Sequence, residues 1–523
     1  MTPCNTPSPA GPRALVVGAG IAGLAGAARL AAAGYDVTVL ERHSAPGGRM
    51  RSLPSVAGPV DAGPTVLTMR PVFEALFRDL GTRLEDHVTL IRQPLLARHF
   101  WPDGSRLDLF DDAQTNSAAI ADFAGTRAAG QFRRFSDRAR RLFEAFDTPM
   151  MQAATPSLAG MTRHVLARPA LIPAMAPLSS LARSLARQFD DARLAQLFGR
   201  YATYVGGSPY RTPALLALIW QAEAAGVWVV EGGMHRLAQA VEGLARSHGA
   251  RFHYGAHVTE ITVENSRATG ARLADDTRYR ADVVLFNGDP RALATGQLGT
   301  AVETVAPQTR RAPRSLSAEV WAFAATPTGP ELAHHNVFFR DAPKPEFDAI
   351  AGGRSVADPT LYLCAQDRGT PGGTPAPERF EIIANAAPLT QAPTETEFET
   401  CRTRTFQTLA RFGLTFDPPP DAQALTTPRG FEQLFPATAG SLYGQSPQGL
   451  TGALSRPTAR TPVAGLYLAG GGTHPGAGVP MATLSARHAA EAIVQDRCST
   501  SPSRPTAMPG GISTGSATIA GDP

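Results

Sequence analysis

Hydrophobic and polar positions change period several times along this chain. A short apolar run at residues 14–17 is followed by a glycine turn, a helical-period stretch at 21–33 and a second short run at 37–40. That order predicts strand, turn, helix, strand: a βαβ unit. Residues 65–225 are mostly helical in pattern, with caps and breakers such as Ser157, Pro169 and Pro173. The period changes again after residue 226. Residues 227–230 predict a strand, 234–247 a helix, and 251–253, 258–263, 268–273 and 281–286 short strands with a hairpin among them. This reads as a return to the first domain. Residues 315–400 mix strands with Pro-rich loops, and 379–386 is the clearest late strand. A strand at 465–469 leads into a glycine cluster, and 481–496 predicts a helix. The Pro-rich residues 1–12 and the Ser/Pro/Gly/Thr-rich residues 498–523 predict disordered tails. No internal repeat is present.

Composition narrows the picture. The chain has 523 residues, 43% hydrophobic and 18% charged, with a net charge of only +4. That is a globular balance, with a core large enough to enclose a bulky cofactor. Lys344 is the single lysine. The excess of Arg therefore reflects base composition, and no cluster of basic and aromatic residues predicts nucleic-acid binding. Cys4, Cys364, Cys401 and Cys498 are far apart, so no metal or redox pair is expected and a reducing compartment is the default. The N-terminus lacks the apolar core of a signal peptide, and no run reaches about 18 apolar residues. The expectation is a protein that is soluble or lies on a membrane without crossing it.

Two motifs carry chemistry. In Gly18-Ala-Gly20-Ile-Ala-Gly23, the first glycine allows the tight turn, the second the approach of a pyrophosphate, and the third close helix packing. The helix start then offers amide hydrogens to phosphate. Glu41 ends the next strand, where a carboxylate can accept the hydroxyls of an unphosphorylated ribose. Arg42 and Gly47-Gly48-Arg49 follow. A Gly-Gly-Arg just past the acid is typical of flavoproteins of the amine-oxidase type, its arginine able to meet phosphates. Asp61-Ala-Gly63-Pro64-Thr65 fits a strand end running past a flavin ring.

The second motif runs from Gly465 to Pro480 and contains Gly470-Gly-Gly472-Thr473-His474-Pro475-Gly476-Ala477-Gly478-Val479. It resembles the signature of the bacterial and fungal carotenoid desaturases, a branch of the flavin amine-oxidase superfamily. The segments Thr427-Pro428 to Glu432, Phe435-Pro436, Leu442-Tyr443-Gly444, Leu361 to Arg368 and Gly232-Gly233-Met234 agree. The resemblance covers roughly residues 13 to 495. The block from Asp61 to Arg70 is most similar to enzymes acting on 1-hydroxy or 1-methoxy acyclic carotenoids, in the spheroidene and spirilloxanthin pathways of purple photosynthetic bacteria.

The resemblance implies an α/β fold: a Rossmann-like FAD-binding domain of amine-oxidase type, an inserted substrate-binding domain and a helical, membrane-contacting region. Its parts are expected at 13–70, 226–300 and 446–497 for FAD, 71–225 for a helical lid, and 301–445 for a substrate sheet. The expected cofactor is FAD, held by Gly18, Gly20, Gly23, Glu41, Arg42, Gly48, Arg49, Gly63, Pro64, Thr65, Val258, Gly472, Thr473, Gly478 and Val479. The expected activity is insertion of a C-3,4 double bond by hydride transfer to flavin. Phytoene desaturase is the alternative, followed by a polyene isomerase or a prenyl-carrier-like binding protein of the same fold. An amine oxidase would need an aromatic pair framing the flavin, and none can be placed.

No strong acid–base constellation is evident, and catalysis is expected to rest on positioning. Glu223 near Trp220, Asp367 and His474 are the candidate proton acceptors, each with a structural reading beside it; for His474 that is a hydrogen-bonded structural histidine. A lipid-soluble substrate implies a membrane surface as partner, on the cytoplasmic side of the inner membrane. Residues 161–189 mix Arg and His with apolar residues. Upstream, Arg127, Arg133, Arg134, Arg138, Arg140 and Arg141 are balanced within their stretch by Asp137 alone. Both suit an anionic interface. Nothing in the sequence bears on oligomeric state.

Overall fold

The computed structural model describes residues 11–389, 397–449, 452 and 455–500. The expected tails lie outside these residues, except that Gly11 and Pro12 are described and the last helix, Val479–Thr500, runs past Cys498.

Short apolar strands buried on both faces make a parallel sheet. Its order is Leu466–Leu468, Val283–Phe286, Arg13–Val17, Asp36–Leu40, Arg251–His253. Helices Ile21–Ala32, Met234–Ser247 and Val479–Thr500 pack side by side over one face. Small residues permit this, since ten of the twelve residues of Ile21–Ala32 are buried. The other face is covered by the antiparallel strands Val258–Glu264, Arg267–Leu273 and Arg278–Arg280. Asp61 starts the helix Met234–Ser247 by accepting from the backbone N–H groups of Met234 and His235, where a carboxylate meets the positive end of the helix.

A second, eight-stranded sheet is built mainly from Leu95–Phe100, Arg106–Phe110, Ser317–Thr328, His335–Phe338, Leu361–Ala365 and Glu378–Ala386. One expected boundary shifts. Helix Arg70–Asp79 buries Phe73, Leu76 and Phe77 in the core of the parallel-sheet domain, so that domain's first part extends beyond residue 70. Residues 71–225 are also not uniformly helical. Leu90–Arg92 pairs with Trp228–Val230, and Leu95–Phe100 with Arg106–Phe110 enters the eight-stranded sheet. The Leu95–Phe100 strand hides a charge: Arg98 is buried because Asp108 on the partner strand accepts two hydrogen bonds from it at 2.9 Å.

The helical portion spans Thr126–Phe146, Leu158–Leu166, Leu171–Met175, Leu181–Gln188 and Ala192–Gly199. Ser157 caps its helix through Gly160 as its position suggests, at 3.0 Å. Pro173 sits within the first turn of Leu171–Met175, where a missing N–H costs nothing. Among the described residues no helix is long and apolar enough to cross a membrane.

Candidate functional site

One cavity of about 1300 Å³ joins the parallel-sheet domain to the helical portion. At its first end the glycine turn meets the Gly47-Gly48 loop backbone to backbone. Gly47 donates to the Ala19 carbonyl at 2.8 Å. A Cβ on Gly48, whose φ is +58°, would stand 3.2 Å from the Gly20 Cα. Side chains would therefore separate two loops that together line the cavity.

Glu41 is buried at the same end. Its carboxylate accepts from Ala19 N at 2.7 Å and from His43 N at 2.8 Å. Ala256 donates to the Glu41 carbonyl at 2.8 Å, which brings Val258 to the cavity wall. Two arginines there carry buried, unpartnered donors: Arg42 at Nη1 and Arg49 at Nε. Burial pulls the Arg49 pKa below its ordinary value. Orphaned guanidinium donors beside a glycine cradle fit an anionic dinucleotide.

Gly63, Pro64 and Thr65 also line the cavity. The Thr65 hydroxyl lies 2.7 Å from the Tyr362 hydroxyl, which lies 2.7 Å from His335 Nδ1. Gly472, Gly478 and Val479 form another stretch of its wall. Arg456, which the sequence reading missed, holds that wall in place. It donates to the carbonyls of Gly471, Tyr443 and Gln445, at 2.5, 3.0 and 2.8 Å. Asn287, also missed, packs against Gly18 and Gly20 and donates to the Gly18 carbonyl at 3.3 Å.

Gly18, Gly20, Glu41, Arg42, Gly48, Arg49, Gly63, Pro64, Thr65, Val258, Gly472, Gly478 and Val479 all line the cavity. Three expected residues stand apart. Gly23 packs inside the fold, where a Cβ would meet the Gly18 carbonyl oxygen at 2.0 Å. Thr473 is fully buried, with its hydroxyl unpartnered and off the cavity wall. His474 turns away from the cavity. Its Nε2 meets the Ala153 carbonyl at 2.8 Å, its ring stacks on His488, and burial lowers its pKa. It ties the glycine cluster to the helical portion, which is a structural role.

The other two candidate proton acceptors separate as well. Asp367 is taken by Arg379, at 2.5 and 2.9 Å, and does not line the cavity. Glu223 does line it. Among the described residues, the buried His334, His335 and Cys364 form the one group with metal-ligand spacing. Hydrogen bonds occupy most of their ligand atoms. His334 Nδ1 meets the Arg368 carbonyl at 2.6 Å, and Cys364 Sγ meets His334 Nε2 at 3.4 Å.

The second end of the cavity is apolar, with Phe143, Phe146, Met150, Met161, Val165, Leu166, Met175 and Leu215 in its wall. Leu158 and Leu166 belong to the wall and are also 64% and 67% exposed outside. Ile172 and Leu178 are exposed nearby. Among the described residues, four of the five exposed large hydrophobics thus lie within residues 158–178. No acidic residue occurs between Asp147 and Asp190, while Arg163, Arg168, Arg183 and Arg187 are exposed. Of the upstream arginines, Arg133, Arg134 and Arg141 are exposed, and the other three are engaged. Arg127 pairs with Asp190, Arg140 with Asp137 and Glu144, and Arg138 is buried, donating to the Ala174 and Ala214 carbonyls.

A dinucleotide cradle at one end and an apolar chamber at the other define an α/β flavoprotein-type fold with an attached substrate domain. The chain belongs to the flavin-containing amine oxidoreductase family, whose model matches residues 21–494, and the cofactor is accordingly a flavin. It is 57% identical over 490 residues to a hydroxyneurosporene desaturase of Cereibacter sphaeroides, covering 94% of this chain and 99% of that one. It is 51% identical over 485 residues to a protein of the same name from Rhodobacter capsulatus, covering 93% and 98%. Cyclohexylamine oxidase from Brevibacterium oxydans shares the fold, with TM-score 0.55 at 18% identity, covering 93% of this chain and 99% of that one.

Proposed function

We propose that this protein is an FAD-dependent desaturase that introduces a C-3,4 double bond into acyclic carotenoids bearing a hydroxyl or methyl ether at C1. The observation that carries the reading is the single cavity. It runs from the Glu41 cradle, past Thr65, to an apolar chamber that reaches the exposed Leu158 and Leu166. A long polyene fits such a chamber. The names of the 57% and 51% identical relatives support the same substrate class.

Glu41 would take the adenosine ribose of FAD, and the glycine-turn amides with Arg42 and Arg49 its phosphates. The wall formed by Gly63 to Thr65 and by Gly472, Gly478 and Val479 would border the ring. Bound FAD would take up both hydrogens, one as the hydride and the other as the proton that leaves the adjacent carbon, as the double bond forms. The chain's own work is to exclude water and align the polyene.

The substrate resides in lipid, and we infer that the segment of residues 158–187 rests on the cytoplasmic face of the inner membrane. Exposed Leu158, Leu166, Ile172 and Leu178 would enter the acyl boundary, and Arg163, Arg168, Arg183 and Arg187 would meet anionic headgroups. The test is incubation of FAD-loaded protein with liposomes carrying 1-hydroxyneurosporene. A product red-shifted by one conjugated double bond and lighter by two hydrogens supports the reading. Conversion of phytoene instead would assign an earlier desaturation.

A further inference from the structure

An ionic cluster interrupts the cavity wall in a place that apolar packing does not explain. Helix Ile219–Ala224 supplies Glu223, which is 3% exposed. The 3-10 turn Arg200–Val205 supplies Arg200, Tyr201 and Tyr204. The two tyrosine hydroxyls donate to the Glu223 carboxylate at 2.6 and 2.7 Å, and Arg200 Nη2 donates to the Tyr204 hydroxyl at 3.2 Å. Arg200, Tyr204 and Glu223 all line the cavity. Removing a carboxylate and a guanidinium from water is costly even when they are paired, and apolar residues of like volume would fill the wall at less cost. A polar ligand facing the cluster gives it a purpose.

The cluster's position narrows what that ligand is. Tyr201 belongs to a hydrophobic cluster against which Tyr204, Val66 and Tyr362, itself bonded to Thr65, all pack. A Cβ on Gly206, which ends the Arg200–Val205 turn, would stand 2.6 Å from Tyr443 Cδ2, and Arg49 donates to the carbonyl of Ser441, two residues before Tyr443, at 3.3 Å. The cluster therefore stands beside the Gly63-Pro64-Thr65 and Arg49 segments, at the flavin end of the chamber. In the reaction proposed above, three carbon–carbon bonds separate C1 from C4. With bonds of about 1.5 Å, an oxygen on C1 lies within roughly 5 Å of the reacting carbons. A group that recognises this oxygen has to stand next to the flavin segments and not at the far end of the chamber.

We propose that Arg200, Tyr204 and Glu223 bind the C1 oxygen of the substrate and set the enzyme's preference for oxygenated polyenes; this rests on the function proposed above. A hydroxyl both donates and accepts, so it can engage Glu223 and Arg200 together. A methyl ether only accepts, from Arg200. An unsubstituted polyene leaves Arg200 Nε buried without a partner, which a hydrogen-bonding site penalises strongly. The order of affinity is hydroxyl, then ether, then hydrocarbon. Glu346 also lines the cavity, but its carboxylate is already bound by Asn385 Nδ2 at 2.9 Å and Thr360 N at 3.1 Å.

The test measures binding to flavin-free protein by quenching of tryptophan fluorescence, with 1-hydroxyneurosporene and with the same polyene lacking its hydroxyl. The wild-type protein is expected to prefer the hydroxylated polyene on the order of 10- to 100-fold, the factor for a hydrogen bond to a charged group. In Tyr204→Phe and Glu223→Gln that preference falls below about threefold, while FAD uptake is retained. Equal affinities in the wild-type protein overturn the proposal whatever the variants do. So does a preference that survives both substitutions and is lost only in Glu346→Gln. Absence of desaturation by the wild-type protein on either polyene would instead sink the function proposed above, and leave the binding preference to be judged separately.

Discussion

The Glu41 carboxylate accepts a hydrogen bond from the backbone N–H of Ala19 at 2.7 Å, across the glycine turn. The strand end and the turn are thus locked together, and the acid is oriented before any nucleotide arrives. Glu41→Gln keeps the volume but places an N–H against one of the two backbone donors. FAD affinity is expected to fall roughly 10- to 100-fold, the range for lost bonds to a charged acceptor. Titration of flavin-free protein by flavin fluorescence checks this; unchanged affinity would remove Glu41 from the ribose site.

Two glycines give opposite expectations. A Cβ at Gly63 would stand 1.9 Å from the Arg49 carbonyl oxygen, so Gly63→Ala must push the Arg49 loop away. It is expected to cost about 2 kcal/mol or more of stability and to lower flavin content. Gly243 lies exposed in helix Met234–Ser247, and a Cβ there meets nothing within 4 Å. Gly243→Ala is expected to add about 0.5–1 kcal/mol. Thermal unfolding of the two variants, with flavin absorbance per chain, reads both outcomes.

The two ends of the chain were the most legible, because turn glycines, an acid at a fixed offset and short apolar strands are local signals. Packing across the chain was not. The strand Leu95–Phe100 escaped notice because Arg98 and His99 sit inside it, and their neutralising partners Asp108 and the Leu107 carbonyl lie on another strand. Thr473 and His474 follow the glycine cluster in sequence, but the backbone carries them off the cavity wall, and His474 meets Ala153, 321 residues away. Tyr201 and Tyr204 gave no signal, since they act together only through Glu223, from a separate helix.

Acid should weaken the fold through its buried histidines. Burial drives the pKa of His334 down to about 4, of His488 to about 4 and of His99 to about 3, from 6.5. Each stays neutral in the folded chain while the unfolded chain takes up a proton. Their contribution is fully present above pH 6.5 and is lost as pH falls through about 4, with a slope of up to about 1.4 kcal/mol per pH unit for each. His334→Asn keeps a donor for the Arg368 carbonyl and removes one titration. Its melting temperature should vary less steeply than wild type between pH 6.5 and 4. An unchanged slope would contradict this.

Membrane contact is tested by replacing Leu158, Leu166, Ile172 and Leu178 with serine together. All four are exposed, so folding and flavin content should hold. Binding to anionic liposomes in a flotation assay is expected to fall at least about tenfold. Equal flotation of variant and wild type would place the membrane surface elsewhere.

The central claim is that a polyene with an oxygen on C1 gives up two hydrogens beside the flavin. Its most direct test is anaerobic mixing of FAD-loaded protein with 1-hydroxyneurosporene, following the oxidised-flavin and polyene bands together. The account predicts that the oxidised-flavin band bleaches in step with a red shift of the polyene, one equivalent of each, and that phytoene leaves both bands unchanged. A polyene that changes while the oxidised-flavin band stays intact, or one that reacts only after the flavin has been reduced by another donor, would contradict it and point to isomerisation.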